Sequence, residues 1–270
     1  MSEIPDFFDR PRLSETGGWT DRGFDGYDIE GIVPESPHNG HTDAPDLGPP
    51  VRATSLVEGR PPVDVIEMKS TPLQDTGRDT SKHHIEGQVA GRPVSLIARK
   101  YEQRYVEAWK AYREAGLPVV PTLRVDPVRD RLIMTDLKAD GGELYGKNLS
   151  LTLNDELPRD RPPNPAVDEH FLRLMSGEDR GKVVDRVLDI GEQATAQRIV
   201  LPIDDPLELK VSPDGRWEVL SVDLALGYRW KAPTPEDEEF IGSANYTRVR
   251  NFLGRLGYIA ERLAQRQREH

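Results

Sequence analysis

The chain has 270 residues, of which 36% are hydrophobic and 31% charged, with a net charge of −11 and no cysteine. That length can bury a substantial core as one large or two small domains, and the lack of cysteine excludes disulfides, thiolate catalysis and cysteine-ligated metals. Residues 1–50 carry eleven acidic residues against three arginines, a balance of −8 that leaves 51–270 at −3, so no general nucleic-acid binding is expected.

Residues 1–60 are rich in Gly, Pro, Asp and Ser and show neither strand nor helix periodicity. This composition predicts a disordered acidic tail. Phe7, Phe8, Trp19, Phe24 and Tyr27 lie among its acids as candidate anchors for a protein partner or for the protein's own body. The start of the chain is acidic and proline-broken, unlike a signal peptide, and no run reaches transmembrane length. A cytoplasmic protein without membrane contact is therefore expected.

Order is predicted to begin at Val63 with the strand candidate VDVIEM, followed by a polar loop. HIEGQVAGRPVSLIARKY then reads as two strands joined by an Ala-Gly-Arg-Pro turn. A helix is predicted over 102–115, since Tyr105, Ala108, Trp109 and Tyr112 share one face and Gly116 and Pro118 end it. VVPTLRVD and RLIMTDL are two further strands across an Asp-Pro…Arg-Asp turn. KADGGELYGKN reads as a joint, and the Pro-, Asp- and Asn-rich 151–165 as an exposed insertion.

A second helix is predicted over 180–198, with Val183, Val184, Val187, Leu188, Gly191 and Ala194 as its buried stripe. Residues 198–227 follow as a short apolar strand, a polar loop, a Ser-Pro-Asp-Gly turn and an apolar strand that delivers Asp223 into a bend. A last helix over 237–267 buries Val249, Phe252, Leu253, Leu256, Ile259, Ala260 and Leu263, and its outer face carries six arginines, a candidate basic docking face for acids, the tail's own among them. These readings divide the chain into a tail (1–60), a small β-rich part (61–137) and a helical part with an embedded hairpin (138–270), of which 138–165 is joint and insertion.

Several of these stretches, in this order, resemble the protein-kinase-like fold. Ile97-Ala98-Arg99-Lys100 resembles the Val-Ala-Ile-Lys of the third kinase strand, with Ala98 and Lys100 on one face. Leu132–Leu137 looks like the fifth strand and hinge, with Met134 at the gatekeeper position and Asp136 in the hinge. VSPDGRWEVLSVDLALG resembles the hairpin that ends in Asp-Phe-Gly, with Asp223-Leu224-Ala225 in that place. The resemblance covers about residues 63–265. It implies an α+β, two-lobed fold: a small β-sheet lobe with one helix and a larger, mainly helical lobe.

The resemblance also implies roles. Lys100 would hold phosphates, paired with Glu107 or, failing that, Glu114 on the following helix. Asp223 and Glu208 would hold Mg2+. Ile203, however, stands where the catalytic base belongs, so a base would have to come from Asp204 or Asp205. The phosphate-covering loop offers only Gly77, with Arg78 or Lys82 as side-chain substitutes.

No Gly-x-Ser-x-Gly, zinc-type His/Glu helix motif or complete Gly-x-x-x-x-Gly-Lys-Ser/Thr phosphate loop is present. Three functions follow as expectations: a pseudokinase scaffold that binds nucleotide or a partner, a divergent ATP- and Mg2+-dependent phosphotransferase, or a non-catalytic α+β interaction domain.

Overall fold

The computed structural model describes residues 50–56, 62–73, 82–120, 123–146, 164–177, 179–203, 206–224, 227–231 and 233–269. Most of the acidic tail, Gly77, Arg78, Asp204 and Asp205 lie outside the described residues.

The first part of the chain closes into a six-stranded barrel rather than the sheet expected. Its strands are β1 (Val51–Ser55), β2 (Val63–Pro72), β3 (His83–Val89), β4 (Arg92–Lys100), β5 (Leu123–Asp126) and β6 (Arg131–Thr135), in spatial order β1-β2-β3-β4-β6-β5. β1 falls within the stretch whose composition was read as tail. Val51 and Ala53 alternate with exposed Arg52 and Thr54, and Thr54 and Ser55 pair with Val125 and Arg124 to close the ring. Closure satisfies both edges of the sheet. The lumen is filled by Ala53, Val65, Ile85, Val89, Val94, Leu96, Ala98 and Ile133.

The turns follow local chemistry. Val89 pairs directly with Arg92, so Ala90 and Gly91, both at positive φ, make a two-residue hairpin turn. Asp126 ends β5 by accepting the Val128 and Arg129 amides on Oδ1, and its other oxygen takes Arg131 Nε at 2.8 Å.

Helix α1 (Gln103–Glu114) buries Tyr105, Val106, Ala108, Trp109 and Tyr112. Trp109 Nε1 donates to the Val120 carbonyl, fixing the link from α1 to β5. The stretch read as a joint contains β7 (Glu143–Tyr145), which pairs with β9 (Glu208–Val211). Helix α2 (Pro165–Ser176), with Pro165 in its first turn, was not anticipated; it buries Val167, Phe171, Leu174 and Met175. Helix α3 (Arg180–Ala196) leads to β8 (Ile199–Val200).

The anticipated hairpin forms between β9 and β10 (Trp217–Leu220), with the first short strand left out of it. β8 pairs instead with β11 (Tyr228–Arg229). Helix α4 (Pro235–Glu269) starts at a reciprocal cap: the Asp237 amide donates to Thr234 Oγ1, and the Thr234 amide donates to Asp237 Oδ2. One apolar core runs from α1 and Met134 through the hairpin to α2, α3 and α4. The protein is thus a mixed α and β chain in which the barrel's outer face and the helices share that core.

Candidate functional site

Three segments converge where the outer face of β4 meets α1 and the end of the β9–β10 hairpin. Strand alternation sends Val94, Leu96 and Ala98 into the lumen and Ser95, Ile97 and Arg99 to the opposite, outer face. Tyr105 is the inward residue of the first turn of α1. Ser221, just past β10, forms a parallel bridge with Val119, and its amide donates to the Pro118 carbonyl at 2.9 Å. This tie to the α1–β5 link holds Asp223 against the barrel.

Arg99 organises the site. Its Nη1 lies 3.6 Å from Asp223 Oδ1, its Nη2 donates to Glu102 Oε1 at 3.1 Å, and its Cζ sits 4.4 Å from the centre of the Tyr105 ring. Burial works against the charge, but interaction with Tyr105, then Asp223 and Glu102, outweighs it and holds the guanidinium above its ordinary pKa. The Tyr105 hydroxyl donates to the Val222 carbonyl at 2.5 Å, joining α1 to the residue before Asp223. Burial raises the Tyr105 pKa strongly, with Arg99 pulling the other way, and keeps the phenol neutral.

Lys100 is not brought to this cluster. It is exposed at the end of β4, on the face opposite Arg99 and in register with Arg131. Lys100 and Arg99 are neighbours on one strand, so alternation puts them on opposite faces and only Arg99 reaches α1. The expected helix partners are corrected likewise. Glu107 lies on the exposed side of α1 and accepts from Gln103 Nε2, whereas Glu114 pairs with Arg229 at 3.3 Å. Tyr105 occupies the inward position instead.

Met134 is buried against α1, its sulfur 4.0 Å from the Tyr105 hydroxyl. Asp136 is buried too. Its Oδ2 accepts from Ser95 Oγ at 2.7 Å and lies 3.4 Å from His84 Nε2, and its Oδ1 accepts the Lys138 amide. His84 Nε2 is 2.7 Å from Ser95 Oγ. The serine proton is directed at the carboxylate, so the imidazole donates to the hydroxyl; this is opposite to the proton direction of a serine nucleophile. The backbone amides of Asp136 and Ala139 are also engaged, by the Ser95 and Asp136 carbonyls.

Glu208 opens β9 half-buried and in register with Leu220, so it and Asp223 stand at the same end of the hairpin. Ile203, the residue at the expected base position, is 65% exposed. Buried Asn245 of α4 shapes that loop: its Oδ1 accepts the Leu201 amide, and its Nδ2 donates to the Ile199 carbonyl and Thr195 Oγ1. Lys210, fully buried on β9, reaches Asp140 Oδ2 at 3.0 Å and ties the hairpin to the segment after β6. Lys82 is half-buried beside β3, and its carbonyl accepts the Leu73 amide. Among the described residues, no three His, Asp or Glu side chains gather to hold a metal, and no helix is long and apolar enough to cross a membrane.

Arg99, Glu102, Tyr105, Ser95 and His84 were missed as site residues. The one available signal was the apolar series Val94, Leu96, Ala98, which marks a lumen face and leaves Arg99 opposite it. Ile97 blurs that signal, because it makes both faces of β4 partly apolar.

Comparison with protein-family models gives no match, and comparison with curated proteins gives none. Among solved structures, the chain is similar to WaaP in complex with acyl carrier protein, at 14% identity and a TM-score of 0.32 over 72% of this chain and 89% of that one. It is also similar to a rhoptry kinase from Toxoplasma gondii, at 15% identity and a TM-score of 0.35 over 68% of this chain. The match spans about half (52%) of the rhoptry kinase chain.

Proposed function

We propose that the protein is a kinase-like scaffold with a degenerate cleft, a pseudokinase that binds a nucleotide or a partner without transferring phosphate. The observation that carries this reading is the Arg99–Asp223 pair seated on Tyr105. Phosphoryl transfer needs a cation free to follow the phosphates and an aspartate free to hold metal. A lysine meets the first need with a compact charge on a flexible stem. Arg99 has a planar guanidinium held by a carboxylate on each side and an aromatic face beneath, an arrangement suited to fixing position. Exposed Ile203 supplies no proton acceptor at the base position. The engaged amides of Asp136 and Ala139 leave fewer backbone donors for a nucleobase.

One observation favours a second reading. Glu208 and Asp223 share an end of the hairpin, and two carboxylates are a sufficient protein share for Mg2+, which keeps several waters and takes the rest of its oxygens from phosphates. In that divergent ATP-dependent phosphotransferase, Asp204 or Asp205 would act as base. A melting series with ATP, with and without Mg2+, followed by a phosphate-release assay, separates the two. The scaffold reading expects a melting shift without turnover. Turnover abolished by Asp223→Ala would replace it with the enzyme.

A further inference from the structure

Tyr228, Trp230 and Phe240 form an aromatic patch that the fold leaves open. Tyr228 and Trp230 are two residues apart along and just past β11, with ring centroids 5.7 Å apart. Trp230 meets Phe240 of α4 edge-on at 6.1 Å. Tyr228 is 46% and Phe240 50% exposed. Single exposed aromatics are ordinary, but three linked through Trp230 mark an interaction surface.

The rim carries both signs of charge. Lys231 follows Trp230, and Arg198, whose carbonyl accepts the Trp230 amide, lies beside it with its guanidinium already donating to Glu238 Oε1 at 3.0 Å. On the helix side, Glu236 lies one turn before Phe240 and Glu239 next to it, both exposed.

We propose that this patch docks the chain's own N-terminal segment through Asp6-Phe7-Phe8-Asp9-Arg10-Pro11-Arg12. That stretch holds the sequence's sole pair of adjacent aromatics, flanked by acids and followed by arginines. The rings meet Tyr228, Trp230 and Phe240, the aspartates meet Lys231, and the arginines meet Glu236 and Glu239. Phe8 and Pro50 are 42 positions apart, a contour of roughly 140 Å that reaches any face of the protein. Tethering supplies an effective concentration on the order of millimolar, so a contact too weak to hold a free peptide is populated within one chain. The inference is independent of any reading of the cleft.

The chain has no cysteine, so Ser2→Cys and Thr247→Cys accept two spin labels without background, Thr247 being an exposed α4 residue beyond the patch. The full chain is expected to give a short, narrow distance that Phe7→Ala/Phe8→Ala broadens and that Trp230→Ala also removes. Should Trp230→Ala fail to fold, the Phe7→Ala/Phe8→Ala variant still decides, because it changes none of the described residues. A broad distribution in the unmutated full chain, or a short distance that survives Phe7→Ala/Phe8→Ala, overturns the proposal. A short distance between two different singly labelled chains would mean that a second copy occupies the patch, and overturns it too.

Discussion

The guanidinium of Arg99 lies 3.6 Å from the carboxylate of Asp223, joining a barrel strand to the residue that follows the β9–β10 hairpin. The two residues are far apart in sequence, and the contact exists because the Val119–Ser221 bridge and the Tyr105–Val222 hydrogen bond bring their segments together.

Removing Arg99 costs more than removing Asp223. Arg99→Met forfeits the stacking on Tyr105 and leaves Glu102 and Asp223 facing each other without a cation, for about 2–3 kcal/mol. Asp223 is about half exposed, and Asp223→Asn is expected to cost about 0.5–1 kcal/mol. Lys100→Met, on the exposed face, should stay within about 0.5 kcal/mol of the parent. Urea unfolding of the three variants checks the order, and a Lys100 effect as large as that of Arg99 would refute the register.

Asn245→Ala should be among the costlier single changes in α4. It strips partners from the buried Leu201 amide and the Ile199 carbonyl, and the expected loss is about 2–4 kcal/mol. Hydrogen exchange at Leu201 should accelerate in step with it. Unchanged protection there would show that the β8 loop is held by something else.

Gly227 is set by a close approach. A Cβ there would stand 2.9 Å from the Tyr112 hydroxyl, a buried group with no hydrogen-bond partner among the described residues. Gly227→Ala should therefore destabilise by about 1–3 kcal/mol. Tyr112→Phe should be near neutral, since the hydroxyl forfeits no bond. Combined, Tyr112→Phe should recover much of the Gly227→Ala loss, and strict additivity in thermal melts would argue against this contact.

Alkaline pH should unfold the protein through its buried phenols. Burial raises both Tyr105 and Tyr112 from an ordinary value of 10.0, Tyr105 against the pull of Arg99 and Tyr112 against that of Arg248. A raised phenol keeps its proton in the folded state while the unfolded chain loses it. Their contribution is thus fully present below pH 10 and is lost as pH rises above it. Phenolate absorbance should show exposed tyrosines titrating first, and Tyr105 and Tyr112 only together with loss of helical ellipticity. Tyr105→Phe should reduce the steepness of that alkaline loss.

Local elements were legible because their causes are local. The Tyr105, Trp109, Tyr112 stripe places α1, the Ala90-Gly91 and Asp126-Pro127 turns place two strand pairs, and the stripe from Val249 to Leu263 places α4. The hairpin that leads to Asp223 was readable for the same reason, from its Ser-Pro-Asp-Gly turn between β9 and β10. β1, β7 and α2 were not. The strands are short, and Val51 and Glu143 become strand residues only through partners supplied by β2, β5 and β9. The site itself was decided by tertiary structure. β4 has apolar residues on both faces, so alternation alone could not say whether Arg99 or Lys100 faces α1. Barrel closure decides it, because the narrow lumen accepts Val94, Leu96 and Ala98 and turns Arg99 outward, where α1 and the hairpin supply Tyr105 and Asp223.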